Sequence, residues 1–215
     1  MTTYSVLIEG NIASGKTTAI KILERNLKDK VKVFEEPLQT WTNYHGANLL
    51  HQMYENPTRT AFTFQTFVQC TMAQIQFEEI KDKIKITERS LLSERFVFIE
   101  AIKSLNFIDQ SQYHILIDWF NLIESKVPPV NEVIYLRTSP EIAYNRLKLR
   151  NRPEEQTVSL EYIQLLFNLY ENWLIHQTFG ELPFKVTIID QDKDLENFNQ
   201  EMVTLSHRLE TILNG

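Results

Sequence analysis

Residues 10 to 17, Gly10-Asn11-Ile12-Ala13-Ser14-Gly15-Lys16-Thr17, form a Gly-x-x-x-x-Gly-Lys-Thr run between an apolar segment and a helical pattern. In that context the glycines let the backbone wrap with its N–H groups turned inward. The helix that follows adds the partial positive charge of its N-terminus. Such a loop cradles nucleotide phosphates, with Lys16 placed to bridge the β- and γ-phosphates, Thr17 to ligate Mg²⁺ and Thr18 continuing the polar run. The whole chain holds only 5 glycines, which makes the two in this run informative. The plainer reading is a turn with a solvated lysine, and agreement at all four fixed positions argues against it. By itself the motif names a donor end and leaves kinase, GTPase, ATPase and sulfotransferase open.

Carboxylates and cations recur where other strands should end. Glu36 follows one apolar segment, in Phe34-Glu35-Glu36-Pro37, and Glu88-Arg89-Ser90 follows another. Transfer of a phosphoryl group to an alcohol needs an acceptor for the alcohol's proton, cations around the moving group, and Mg²⁺. Glu36, Arg89 and Lys16 have the types for these roles, although Glu36 as a helix cap or surface ion pair, and Glu88 with Arg89 as a strand-end pair, fit the spacing too. Arg146, Arg150 and Arg152 run into Pro153-Glu154-Glu155 and could fold over a triphosphate as a lid or form a solvated helix face. Phe64, Val68 and Met72 make a stripe that is ordinarily core, interrupted by the carboxamide of Gln65, whose donor and acceptor could read the amide edge of a pyrimidine.

These residues need a scaffold that gathers strand ends. Short β-branched segments at Tyr4 to Glu9, Val31 to Phe34, Lys83 to Thr87, Glu132 to Leu136 and Lys185 to Ile189 alternate with helical patterns. Alternation of this kind predicts an α/β fold, a parallel sheet covered by helices, with ligands beyond the carboxyl ends of the strands. Helices are expected over Gly15 to Lys28, Arg59 to Lys81, Leu91 to Leu105, Asp109 to Val127, Pro140 to Asn151, Leu160 to Phe179 and Leu195 to Leu213. No repeat or linker interrupts the pattern, so 1–215 is expected to be a single domain with a lid at about 146–157.

Composition limits the function classes. A net charge of −6 argues against a protein that lives on polymeric nucleic acid, which needs a basic footprint. The lone cysteine, Cys70, excludes an intrachain disulfide and a cysteine-built metal site. No run reaches the roughly 20 apolar residues of a membrane span, and no leader precedes Tyr4, so a cytoplasmic location is expected.

Taken in order, Gly10 to Thr18, Glu36-Pro37 with Trp41, Asn48-Leu49-Leu50 to Tyr54, Phe64-Gln65, Glu88-Arg89-Ser90, Tyr135 to Pro140 and Trp173 to Gln177 resemble the deoxyribonucleoside kinase family. The resemblance runs from about residue 4 to residue 190 and is strongest to the branch of insect multisubstrate and mitochondrial thymidine kinases. It implies a P-loop kinase fold with a five-stranded parallel sheet, ATP as phosphoryl donor, Mg²⁺, a homodimer through a helical interface and inhibition by a deoxynucleoside triphosphate. On it, Glu36 is the base for the sugar 5′-hydroxyl with Arg89 beside it, Glu88 helps hold Mg²⁺, and Tyr54 and Glu155 bond the 3′-hydroxyl. Gln65 reads the base, Trp41, Phe64 and Phe98 enclose its ring, Leu50, Met53, Val68 and Met72 complete the apolar wall, and the three arginines form the lid.

One position departs from the family. Pyrimidine-preferring members carry a small residue where this chain has Glu94; members accepting deoxycytidine and purines carry an acid there, paired with an arginine at the position of Met72. Glu94 either accepts a hydrogen bond from an exocyclic amine or turns toward Arg95 or solvent. Thymidine and deoxycytidine are the expected substrates. The competing readings are a thymidylate-type monophosphate kinase and a non-catalytic subunit; an Asn/Thr-Lys-x-Asp guanine reader is absent from the sequence.

Overall fold

The structure, a computed structural model, describes residues 3–214. Five strands form one sheet: β1 (Tyr4–Glu9), β2 (Val31–Phe34), β3 (Ile84–Glu88), β4 (Glu132–Arg137) and β5 (Lys185–Asp190). Their order is β2-β3-β1-β4-β5, and every pairing is parallel. This is the expected α/β sheet, with β3 displaced by one residue and β4 and β5 one residue longer than the apolar pattern suggests.

Central strands are buried on both faces, which is why they read as unbroken apolar runs. In β1, Val6 and Ile8 pack with α1 (Lys16–Leu27) and α10 (Leu195–Asn214), while Leu7 packs with α8 (Pro140–Arg150) and α9 (Leu160–Tyr170). All three side chains are fully enclosed. A third cluster joins α4 (Pro57–Phe77), α6 (Ile99–Ser104) and α7 (Gln110–Glu124) through Val68, Met72, Ile102, Leu116 and Phe120.

The helices depart from expectation in three places. Two short helices, α2 (Leu38–Thr42) and α3 (Leu49–Glu55), fill a stretch too short for a helical period to show. α4 stops at Phe77 rather than Lys81 because Lys85 of β3 donates to its terminal carbonyls, those of Ile75, Gln76 and Glu78, at 2.6, 3.1 and 2.9 Å. Both long segments expected after β3 and β4 contain a π turn: Glu94–Phe98 between α5 (Leu91–Ser93) and α6, and Glu171–Ile175 closing α9. π turns recur at functional sites, and the first of these begins and ends on Glu94 and Phe98.

Candidate functional site

Parallel register brings the carboxyl ends of the strands to one edge. Ile8 pairs with Glu88, Phe34 with Thr87 and Arg137 with Asp190. The residues just beyond these ends surround one cavity of about 440 Å³. One end of its lining is the loop from Ile12 to Thr18, with Arg146, Arg150, Arg152, Gln191, Leu195 and Phe198. Its other end is formed by Trp41, Leu50, Met53, Tyr54, Phe64, Gln65, Val68, Glu94, Phe98 and Tyr162, and Glu36, Glu88, Arg89 and Glu155 lie between.

The loop turns through left-handed backbone at Ala13 (φ 60°) and Gly15 (φ 96°) and through φ 147° at Gly10. A methyl group at Gly10 would come within 2.6 Å of Ser14 Oγ and 2.7 Å of the Leu136 carbonyl, so close backbone approach requires glycine there. Gly10 and Asn11 stand behind the cavity wall. Asn11 is the brace: its amide nitrogen donates to the Ile163 carbonyl at 2.9 Å and its oxygen accepts from Ile12 N at 2.8 Å. Lys16 Nζ donates to the carbonyls of Gly10 (3.1 Å) and Asn11 (2.9 Å). Burial lowers its pKa to about 8, aided by Arg89 and opposed by Glu36, Glu88 and Glu9. Ser14 Oγ is buried without a partner, close against Gly10.

Thr17 Oγ1 donates to Glu88 Oε1 at 2.9 Å, so a hydroxyl and a carboxylate meet where the loop enters α1. No group of three or more His, Cys, Asp or Glu side chains suited to a metal occurs among the described residues. A cation at Thr17 and Glu88 would therefore complete its shell with phosphate oxygens and water, as Mg²⁺ ordinarily does.

At the centre, Arg89 Nε donates to Glu36 Oε1 at 2.5 Å. Burial raises the Glu36 pKa, but the charges of Arg89 and Lys16 outweigh it and hold the carboxyl below its ordinary value. Glu36 is thus an ionised acceptor at neutral pH. Burial pushes Glu88 the other way, with Lys16 opposing.

Arg150 grips Glu155 through both carboxylate oxygens at 2.8 and 2.7 Å, Arg152 stands 3.5 Å from it, and Arg146 donates to the Gln191 carbonyl at 2.8 Å. All three guanidiniums border the cavity. Asn48 Nδ2 donates to Glu154 at 3.0 Å and so ties this segment to the start of α3.

At the far end the Trp41 and Phe64 rings meet edge to face, 5.9 Å apart, and Trp41 Nε1 donates to Thr71 at 2.9 Å. Gln65 Oε1 and Glu94 Oε2 are buried without partners. Glu94 turns toward neither solvent nor Arg95, whose guanidinium pairs with Glu100. Met72 is a correction: it is fully buried in the helical core and does not line the cavity. At about 100° per residue, a four-residue stripe drifts roughly 40° each step, and Met72 also lies about 12 Å along the axis from Phe64. Leu38, Tyr162, Gln191, Leu195 and Phe198 line the cavity without having been singled out in the sequence, where each reads as ordinary core or loop.

A phosphate loop, a carboxylate–guanidinium pair and an enclosed apolar end within one cavity define a phosphotransferase that acts on a small acceptor. Comparison with known proteins narrows that class. The family described as deoxynucleoside kinase matches residues 6–214. The chain is 36% identical over 192 residues to human mitochondrial thymidine kinase 2, covering 89% of this chain and 72% of that protein. It is 34% identical over 206 residues to a probable deoxycytidine kinase of fowlpox virus, covering 94% and 85%, and 31% identical over 229 residues to chicken deoxycytidine kinase 2, covering 91% and 86%. The chain belongs to the deoxynucleoside kinase family.

Proposed function

We propose that this deoxynucleoside kinase moves the γ-phosphoryl group of ATP to the 5′-hydroxyl of a deoxynucleoside, thymidine and deoxycytidine foremost, as a step of nucleotide salvage. The observation that carries this reading is the Glu36–Arg89 pair, set between the phosphate loop and the enclosed end that holds Gln65. The 5′-oxygen attacks the γ-phosphorus, the bond from that phosphorus to the β,γ-bridging oxygen breaks, ADP leaves, and the hydroxyl proton passes to Glu36. A carboxylate this acidic cannot strip an alcohol beforehand, so Glu36 orients the hydroxyl and takes its proton late. Lys16, Arg89 and the arginines of a lid at about 146–157 balance charge on the moving group. Thr17 and Glu88 would hold Mg²⁺, which supplies further charge neutralisation across the phosphates.

Tyr54 and Glu155 hold the sugar 3′-hydroxyl, Gln65 meets the base edge, and Trp41, Phe64 and Phe98 sandwich the ring. The two ends form one cavity, which supports inhibition by a deoxynucleoside triphosphate: its base and sugar would take the acceptor end while its phosphates enter the loop. A homodimer through α7 is supported by Ile115, Trp119 and Leu122, whose side chains share one exposed face. No helix among the described residues is long and apolar enough to cross a membrane, and the lone cysteine suits the reducing interior of the cytoplasm.

Purified protein incubated with Mg·ATP and each of the four deoxynucleosides should yield the monophosphates of thymidine and deoxycytidine. Phosphorylation of deoxynucleoside monophosphates in place of deoxynucleosides would favour a thymidylate-type kinase, and turnover of neither would sink the enzymatic reading.

A further inference from the structure

Arg89 has left-handed backbone (φ 63°), a conformation that a non-glycine residue keeps only where its surroundings fix it. Its backbone N–H donates to the Ile8 carbonyl at 3.0 Å, and its guanidinium rests on the Phe98 ring, 4.4 Å from the centroid. Nε reaches Glu36. Nη1 points the opposite way and donates to the hydroxyl of Tyr170 at 3.0 Å.

Proton counting shows what lies behind that hydroxyl. A guanidinium can only donate, so the Tyr170 oxygen accepts from Arg89 and its one proton goes to Glu9 Oε2, 3.1 Å away. Ser90 Oγ accepts from the backbone N–H groups of Leu92 and Ser93, so its proton goes to Glu9 Oε1, at 2.5 Å. Both protons point at Glu9, so each of its carboxyl oxygens accepts a hydrogen bond from a hydroxyl although the side chain is fully buried. Burial pushes its pKa up, and Arg89, Ser90, Ser93 and Lys16 oppose that push. Glu9 is the last residue of β1, directly before Gly10. One cation is therefore shared by two carboxyl groups: Glu36 directly, and Glu9 through Tyr170.

We propose that Glu9 and Tyr170 are positioning residues for phosphoryl transfer, holding Arg89 from behind so that its Nε stays on Glu36 while that carboxylate faces the acceptor hydroxyl. The inference rests on the reading of Glu36 as proton acceptor. Neither residue lines the cavity, so loss of the arm acts through Arg89 and leaves the nucleoside's own contacts in place. Freed from Tyr170, the guanidinium can swing on its long stem, and the geometry that makes Glu36 acidic and aimed is occupied for a smaller fraction of the time.

Tyr170→Phe removes one oxygen and keeps the ring that stacks on Tyr135, with centroids 5.6 Å apart and planes 17° from parallel. The test is steady-state kinetics on the full chain with Mg·ATP and whichever deoxynucleoside the wild type phosphorylates fastest, over the acidic limb of the pH profile. We expect kcat to fall about tenfold with the nucleoside KM within about twofold, as for an interaction that matters only in the transition state. The acidic limb should move to higher pH, because a guanidinium held less firmly lets the Glu36 pKa rise. Wild-type kcat with an unmoved limb, whatever happens to thermal stability, overturns the proposal. If Tyr170→Phe fails to fold, Glu9→Gln decides: it keeps the shape and one accepting oxygen but puts an amide donor where the other oxygen accepts, and a kcat equal to wild type overturns the proposal equally. A wild type inactive on every deoxynucleoside defeats the reading of the site itself; an active wild type matched by both variants defeats this inference alone.

Discussion

Replacing Glu94 with glutamine should remove a pH dependence of stability that the wild-type chain carries. Glu94 is 3% exposed, and its Oε2 has no hydrogen-bond partner. Burial is the chief cause that raises its pKa to about 8; Arg89 on the turn after β3 opposes the rise, and Glu36 and Glu9 reinforce it. In the unfolded chain the same carboxyl ionises near its ordinary value of roughly 4.3. Between those two values the folded chain binds one more proton than the unfolded chain. Stability is therefore fully present below the ordinary pKa and is lost as pH rises through about 8, by up to about 1.4 kcal/mol per pH unit. Above that the loss levels off, because both states are ionised. Glutamine has the same shape and no proton to lose, so the variant should gain roughly 2–5 kcal/mol over wild type at the alkaline end and little at the acidic end. Urea unfolding midpoints, measured for both chains from about pH 5 to about pH 9, read the difference directly, at roughly 1–3 kcal/mol per molar urea. Titrating groups remote from Glu94 are common to both chains and cancel, while Glu36, Glu9 and Arg89 are coupled to it and share in the difference. A midpoint difference that stays constant across this range would refute the reasoning. With Glu94 against the base of a bound deoxynucleoside, the same proton would decide what it offers: the neutral acid donates to a carbonyl oxygen, the carboxylate accepts from an amine. The kcat/KM for deoxycytidine relative to thymidine should climb as pH passes about 8 and stay flat in Glu94→Gln.

Glu36→Gln removes the proposed proton acceptor but keeps its outline, and kcat should drop about 10²–10⁴-fold while the nucleoside KM changes far less; an equal change in both would mean that Glu36 merely binds. Gly10→Ala drives a methyl group into the Leu136 carbonyl, which belongs to the sheet and cannot yield, at a backbone angle unfavourable to alanine. The loop must distort, so the KM for ATP should rise about tenfold or more, and unaltered ATP kinetics would count against the close approach. Lys85→Met leaves the terminal carbonyls of α4 without their donor. At about 3 kcal/mol for the lost charged hydrogen bonds, the melting temperature should fall by roughly 6–12 °C, whereas an unchanged value would show that water replaces the lysine.

Features that depend on adjacent residues were legible in the sequence. The phosphate loop is contiguous, and its glycines answer local demands on φ and backbone approach, so its spacing sufficed. β1 and β2 match the apolar segments residue for residue, and the other three strands lie within one residue, because strands buried on both faces leave an uninterrupted apolar run. Features that depend on another element were not legible. α4 ends where Lys85 of β3 reaches its carbonyls, and the family resemblance put Met72 at the cavity, whereas the helical stripe, ordinarily core, ends in the core there. The family resemblance supplied Glu36 beside Arg89, two residues 53 positions apart, without supplying the distance between them. It supplied nothing for Glu9 and Tyr170, 161 positions apart, which read as a strand end and a core aromatic. The sequence by itself determined the parallel sheet, the phosphate cradle and the types of residue at the strand ends. Only the tertiary structure decided that Glu9 is buried behind Tyr170, that Glu94 Oε2 lacks a partner and that one guanidinium reaches Glu36 directly and Glu9 through Tyr170, because burial and partner geometry arise only when distant segments exclude water around the same few atoms.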